Sequence, residues 1–92
     1  MRVFKRILFA NNSGEEMQII IKNHWTMAHG DNDTLDAKVY KLNGTDAIGN
    51  PNWSEIKHFF AFNDIPAERS RLCSYVGAMA DAGYERKGVM EF

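Results

Sequence analysis

The segment HWTMAHGDND, residues 24–33, holds the densest group of side chains in the sequence that are able to do chemistry. His24 and His29 are of the type that ligates transition metals, and Asp31 and Asp33 would supply carboxylate ligands. The two histidines are five positions apart, so they lie on opposite faces if the chain is extended there. Shared ligation would therefore require the following loop to fold back.

Neither a calcium site nor a zinc site is predicted from this segment. A calcium loop beginning at Asp31 would have Asp36 where glycine is required and Leu42 where a bidentate glutamate is required. Zinc sites use three or four ligands with hydrogen-bonded support, and only two histidines are present here. We therefore expect no metal and no cofactor, and we interpret the segment as a polar loop with an acidic tip.

The remaining histidine and the cysteine do not indicate an enzyme. The sequence contains no nucleophile elbow, no phosphate-binding loop and no paired catalytic signature. We interpret His58 as a surface or half-buried side chain and Cys73 as a small core residue rather than a reactive thiolate. The prediction is a protein without catalytic activity.

Length and charge limit the architecture and the partners. A chain of 92 residues with 45% hydrophobic and 25% charged residues is predicted to form a single domain over residues 1–92. Its formal net charge of -1 gives no general attraction to nucleic acid or to an anionic membrane, so such binding requires a local basic patch. With one cysteine, no recognisable signal peptide and no apolar run near the roughly 20 residues of a membrane span, we expect a cytoplasmic protein without membrane contact.

Alternating apolar residues predict antiparallel strands in the first half of the chain. Alternate positions are occupied by Met17, Ile19, Ile21, Trp25 and Met27, which places them on one face of an extended segment over residues 16–27. In residues 2–10, Val3, Ile7 and Phe9 alternate with Phe4 and Leu8, and the turn residues NNSG link the two segments as a hairpin. A third strand is predicted for DAKVYKL, followed by a short return strand through Ile48.

The second half predicts two helices and a closing strand. Asn52 and Glu55 have the spacing of a capping box, and apolar residues at helical spacing follow, so a short helix is expected to end near Asn63. Asp64 is placed to cap a second helix that Gly83 would end. The sequence after this glycine is predicted to extend as the last strand.

The expected fold is α+β, an antiparallel sheet of three to five strands with two helices packed on one face, in the order ββ(β)β-αα-β. The predicted core consists of apolar side chains from both halves of the chain. These residues are Ile19, Ile21, Trp25, Val39, Ile56, Phe60, Leu72, Val76 and Met79.

Basic residues of the predicted sheet are candidates for partner contact. The first strand has no acidic residue before Glu15, and lysines follow on the strands expected beside it, whereas acidic residues concentrate in the loops. This dipolar arrangement is suited to a partner with RNA or phosphate on one side and a basic channel on the other. The alternative is a set of solvated strand positions. The basic residues concerned are Arg2, Lys5, Arg6, Lys22, Lys38 and Lys41.

Residues 63–88 carry a second pattern, in which the apolar residues Val76 and Met79 precede Gly83 and an aromatic and two basic residues follow it. This pattern resembles the recognition helix and wing of winged helix-turn-helix domains. The resemblance implies that the start of the helix enters the major groove and that the later basic residues contact phosphate. The implied nucleic-acid-binding residues are Arg69, Ser70, Arg71, Ser74, Arg86 and Lys87.

In size and character the whole chain is similar to small accessory proteins of phages and mobile elements, of which anti-CRISPR proteins are the nearest class. Members of that class cover nucleic-acid-binding surfaces of a host effector complex, and they share no motif from which residues can be carried over. The resemblance implies a non-catalytic inhibitor that docks on a host protein or ribonucleoprotein complex and blocks nucleic-acid access. The alternative is a winged-helix-like DNA-binding transcriptional regulator. The partner, direct RNA or DNA contact and the oligomeric state stay open.

For the inhibitor, the predicted contact residues combine the basic strands with the loop that follows them. They are Arg2, Lys5, Arg6, Lys22, His24, His29, Asp31 and Asp33.

Overall fold

The computed structural model describes residues 2–24, 34–62 and 65–91, and the side chains of residues 5–22, 34–62 and 65–90. Over these ranges the chain forms one five-stranded antiparallel sheet with the strand order β4-β3-β2-β1-β5, and one helix. The elements are β1 Arg2–Ala10, β2 Glu16–His24, β3 Thr34–Thr45, β4 Pro51–Phe62, α1 Ile65–Asp81 and β5 Glu85–Glu91.

The predicted hairpin of β1 and β2 is confirmed. The two strands pair in antiparallel register along their whole length. In the turn, the side-chain oxygen of Asn11 accepts hydrogen bonds from the backbone N–H groups of Ser13 and Glu15, at 3.1 and 2.9 Å. Gly14 there has a φ of 82°, a conformation that residues with a side chain rarely adopt. The NNSG segment therefore fixes the register by its own turn chemistry.

The short return strand predicted through Ile48 is wrong. Ile48 lies in the turn between β3 and β4 and is 82% exposed. The carboxylate of Asp46 organises this turn by accepting hydrogen bonds from the backbone N–H groups of Ile48 and Asn50. Gly49 completes it with a φ of 88°. The two long strands on either side form the next hairpin.

Strand β4 occupies the place of the short helix predicted to end near Asn63, so the expectation of two helices on the sheet is wrong. β4 pairs with β3 from Thr34 opposite Phe62 to Thr45 opposite Pro51. This pairing outweighs the helical spacing because without β4 the buried strand β3 would leave a row of backbone groups unpaired. The aromatic residues of the segment also suit a half-buried pleated surface. The described residues therefore form five strands and a single helix.

Helix α1 ends as the sequence predicts. Gly83 has a φ of 96°, and the backbone N–H groups of Gly83 and Tyr84 donate to the carbonyl oxygens of Ala80 and Met79. These two bonds satisfy carbonyl groups that the last turn would otherwise leave free. Asp64, the predicted N-cap, lies outside the described residues.

Helix α1 packs on one face of the sheet, which we call the covered face, and leaves the other, the open face, without a helix. Strand residues alternate between the two faces, and apolar residues on the covered face form the core with α1. The cluster of buried core residues contains Ile7, Phe9, Met17, Ile19, Ala37, Val39, Phe59, Leu72 and Met79.

Four predicted core residues, Ile19, Val39, Leu72 and Met79, are buried, and Ile21 and Val76 pack against them partly buried. Two predictions are wrong, since Ile56 is 47% and Phe60 is 54% exposed. The strand assignment explains both errors because the helical spacing placed Phe60 on the core side, whereas in β4 its neighbour Phe59 faces the core. Cys73, interpreted as a core residue, is exposed, and Trp25 lies outside the described residues.

Candidate functional site

The predicted partner-contact residues divide between the two faces of the sheet. Lys5 is opposite Ile21 in the sheet and shares the covered face with it, whereas Arg6 is opposite Ile20 on the open face. Lys22 lies on the open face two residues beyond Ile20. The basic residues of β1 therefore do not form one patch. The side chains of Arg2 and His24 and the residues His29, Asp31 and Asp33 lie outside the described part of the chain.

The structure brings together a polar and aromatic cluster on the open face. The strand register aligns the residues of this cluster in adjacent rows across β1 to β4. One row consists of His58, Lys38, Ile20 and Arg6. We call this cluster the open-face cluster. Its residues are Arg6, Ile20, Lys22, Asp36, Lys38, Tyr40, His58 and Phe60.

Hydrogen bonds and ion pairs hold several members of the open-face cluster. The Nε2 atom of His58 lies 2.6 Å from the Asp36 carboxylate, and the Lys38 ammonium lies 3.7 Å from Glu55. All four side chains are partly exposed to solvent, so each pair contributes modestly to stability. These contacts fix the positions of the side chains more than they stabilise the fold.

Arg6 and Lys22 of the open-face cluster differ in their hydrogen-bond partners. Arg6 donates through Nε to the side-chain oxygen of Gln18 at 2.6 Å, and Gln18 is buried. This bond orients the guanidinium along the sheet. Lys22 is exposed and has no hydrogen-bond or ion-pair partner among the described side chains. Lys22 is therefore available to bind an external anion.

The centre of the open-face cluster is a depression of about 230 Å³. Ile20 and Tyr40 give it apolar walls, and Lys22, Asp36 and Lys38 give it charges of both signs. Beside it, Phe60 is exposed and its ring lies 6.1 Å from that of His58. The depression of about 230 Å³ is smaller than the roughly 300–1,000 Å³ of small-molecule pockets, so this chemically mixed surface suits contact with a macromolecule better than enclosure of a small substrate.

The residues implied by the winged-helix resemblance lie on different sides of α1. Ser70, Arg71 and Ser74 line a cleft of about 390 Å³ between α1 and β4, whereas Arg86 lines a groove on the other side of the helix. Strand β4 precedes α1 in the chain, so the described residues contain no second helix to form a helix-turn-helix. Arg69 is exposed on α1, and Lys87 pairs with Glu85 at 3.3 Å.

Two groups outside the open-face cluster have shifted pKa values. Burial raises the pKa of Tyr75, which lines the cleft beside β4, and the Tyr84 phenol adds to the shift. The hydrogen bond from Lys41, 3.3 Å away, lowers the pKa of Glu15, and Asn11 contributes. Lys41, predicted with the basic strands, is thus paired at the end of the hairpin and is not part of the open-face cluster.

Among the described residues, no group of three or more His, Cys, Asp or Glu side chains is arranged to hold a metal ion. No helix in the same residues is long and apolar enough to cross a membrane. His58 lies 2.6 Å from the Asp36 carboxylate, and both side chains are part-exposed on the sheet. A histidine and carboxylate pair of this kind orients a basic nitrogen, but no serine or cysteine belongs to the open-face cluster.

Tyr40, His58 and Phe60 belong to this surface but were not among the predicted contact residues. Alternation within DAKVYKL places Tyr40 beside Lys38 on one face and so carried a usable signal. His58 and Phe60 were hidden because β4 was predicted as a helix. Searches against protein-family models, curated proteins and solved structures find no match to this chain.

Proposed function

We propose that this chain is a non-catalytic binding protein of the host-cell cytoplasm that docks on a host nucleoprotein complex and blocks nucleic-acid access, as anti-CRISPR inhibitors do. The observation that supports it is the open-face cluster, in which Arg6, Lys22 and Lys38 on three adjacent strands lie beside the exposed Phe60 on the fourth.

The aromatic side of the cluster supplies the means for tight contact. Phe60 and Phe62 are both more than half exposed on β4 and lie on the same face of the strand, two residues apart. Large aromatic side chains that become fully desolvated on binding account for much of the affinity at protein interfaces. Exposing two of them on one strand lowers solubility unless a partner covers them.

The cations of the cluster match the surface of a complex that carries nucleic acid. Lys22 is unpaired among the described side chains, and Arg6 is held along the sheet by Gln18. Cations positioned in this way accelerate association with an acidic or phosphate-bearing surface. Asp36 and Glu55 lie close to them and reduce the net charge, which favours a specific docking surface over general nucleic-acid attraction.

The proposal is tested by inhibition of purified RNA-guided effector complexes. Each complex is incubated with the protein and then with labelled target DNA, and DNA binding is measured by mobility shift. We expect the wild-type protein to prevent DNA binding by at least one complex, and the variant Lys22→Glu/Phe60→Ala to require roughly 10- to 100-fold more protein for the same effect. Inhibition of none of the complexes would contradict the proposal.

A matched control separates the open face from general changes of charge and apolarity. The variant Lys57→Glu/Ile48→Ala makes the same change of charge on the covered face and shortens an exposed apolar side chain in a turn. It should inhibit like wild type. Both variants should stay folded and melt no more than roughly 4–8 °C below it, because the half-exposed Phe60 and the contact of Lys57 with the Phe59 ring at 5.6 Å are each worth about 1 kcal/mol. Equal inhibition by the two variants would show that the open face is not the docking surface.

Titration with nucleic acid distinguishes this proposal from direct nucleic-acid binding. Fluorescence anisotropy is measured with random duplex DNA and single-stranded RNA over a series of salt concentrations. We expect no binding at low salt, since the target is a protein surface. Tight binding with a steep salt dependence would overturn the docking proposal and favour nucleic-acid capture, including the winged-helix alternative with Arg69 and Arg71.

A further inference from the structure

Helix α1 must cross the covered face diagonally. All neighbouring strands are antiparallel, so β4 and β5 at the two edges of the sheet run in the same direction, and α1 connects the end of one to the start of the other. Five strands span about 19 Å at their usual spacing, whereas a helix with its side chains is about 10 Å wide. One diagonal helix therefore leaves a corner of the covered face open on each of its sides.

One of these corners is an apolar groove of about 220 Å³ beside β1, which we call the β1 groove. Its floor consists of isoleucines from β1 and β2, and its wall is formed by α1. Val89, opposite Ile7 in the sheet, continues the apolar surface beyond the groove and is 44% exposed. The lining residues are Ile7, Ile19, Ile21, Leu72, Cys73, Val76 and Arg86.

Three basic residues lie around the β1 groove. Arg86 lines it and has no charged partner among the described side chains. Arg69 lies one helical turn before Cys73 on the same side of α1, and Lys5 neighbours Ile21 across the sheet. Of the acidic residues on β5, Glu85 is paired with Lys87, and Glu91 lies opposite Lys5 in the sheet. Arg86 and Arg69 are therefore the cations of the rim that carry the inference. An apolar surface with a basic rim selects a ligand that is apolar at its centre and acidic beside it.

We infer that the β1 groove binds an acidic segment of a partner protein, which inserts one large apolar side chain and places a carboxylate against Arg86. The volume of the groove suits one such side chain, and its burial supplies the main driving force. The carboxylate then forms a charge-assisted hydrogen bond with a guanidinium that has no competing partner in the described residues. This surface lies on the opposite side of the sheet from the open-face cluster, so it does not rest on the function proposed above.

The test is selection from a display library of random twelve-residue peptides on the immobilised protein. We expect the enriched sequences to share a large apolar residue within two positions of Asp or Glu. No enrichment, or enriched sequences without an acidic residue, would overturn the inference. Binding of decanoate without enrichment of any peptide would do the same, since the groove would then take a lipid and not a protein segment.

Cys73 offers a way to fill the groove in the intact protein. It is the single cysteine of the sequence, it is exposed and it lines the groove, so N-phenylmaleimide places a bulky ring there and nowhere else. This modification should weaken the selected peptides by about tenfold or more, and Arg86→Glu should weaken them by a similar factor. Peptides that bind equally well after both changes occupy another surface, which would refute the inference.

The matched control carries the same modification on the other side of the helix. Ser74 follows Cys73 in the chain but lines the cleft beside β4. The variant Cys73→Ala/Ser74→Cys, modified with the same reagent, should bind the selected peptides within about twofold of wild type. Loss of binding in this control would show that the modification acts through the stability of α1 and not through the groove. Sedimentation of the unmodified protein identifies the remaining outcome, a second copy of the chain in the groove, which would also overturn the inference.

Discussion

Replacing the adjacent residues Ile19 and Ile20 by alanine, one at a time, tests which face of β2 belongs to the core. Ile19 is fully buried beneath α1, whereas Ile20 is partly exposed on the open face. The two substitutions remove the same atoms from neighbouring positions of one strand. Strand propensity and unfolded-state effects are therefore matched, and the difference between the two free energies of unfolding reports burial alone.

Ile19→Ala removes three carbon atoms, worth about 0.8 kcal/mol each on transfer from water, or about 2.4 kcal/mol together. A fully enclosed cavity would raise the loss toward about 5 kcal/mol. Ile19 also lines the β1 groove, which is open to solvent, so we expect a loss near the lower end of this range, about 3 kcal/mol. That is a large part of the roughly 5–14 kcal/mol expected for a domain of this length.

For the partly exposed Ile20 we expect Ile20→Ala to reduce the free energy of unfolding by about 1 kcal/mol. Urea unfolding followed by far-ultraviolet circular dichroism measures both values. In thermal unfolding, the Ile19 variant should melt roughly 12–24 °C below wild type. Equal losses for the two variants, or a larger loss for Ile20→Ala, would mean that β2 presents the opposite face to α1, and the assignment of both functional surfaces would fail with it.

Two further predictions concern the end of α1 and its contact with the sheet. Gly83→Ala should destabilise the protein by about 1–2 kcal/mol because of the φ of 96° at this position, whereas Gly77→Ala within the helix should stabilise it by up to about 1 kcal/mol. Neither new methyl group meets an atom within 4 Å. Melting temperatures that shift in the same direction for both variants would contradict this prediction. Absorbance at 295 nm should show Tyr75 titrating above its ordinary pKa of 10.0, because burial favours the neutral phenol. The unfolded state ionises first, so the folded state loses stability as pH rises above 10, and Tyr75→Phe should remove this part of the loss.

The sequence predicts the fold correctly where nearby residues alone decide the conformation of the chain. In β2, Met17, Ile19 and Ile21 alternate onto one face, and the NNSG turn supplies its own hydrogen bonds, so strand and register follow without tertiary information. Gly83 ends α1 in the same local way. These positions need no partner from elsewhere in the chain to decide their conformation.

The segment of β4 carries two periodicities, and the sequence alone does not choose between them. Trp53, Ile56, Phe59 and Phe60 fit a helical spacing behind a capping box. His58 to Phe62 also fits a strand with apolar residues on both faces. The choice depends on β3, whose buried backbone requires a partner strand and whose residues pair with β4 from Thr45 opposite Pro51 to Thr34 opposite Phe62.

The same fact explains why the candidate docking surface was only partly predicted. A strand that is apolar on one face buries that face in the core. β4 is apolar on both faces, and it places Phe59 in the core and leaves Phe60 exposed on the other side. In an isolated domain, the solvent-facing side of an edge strand is not expected to carry aromatic residues. A segment with apolar residues on both faces has the same sequence pattern as a fully buried helix. Phe60, which contradicts the predicted core, is therefore the residue that indicates a partner. Replacing it should weaken binding and lower the free energy of unfolding by no more than about 1 kcal/mol.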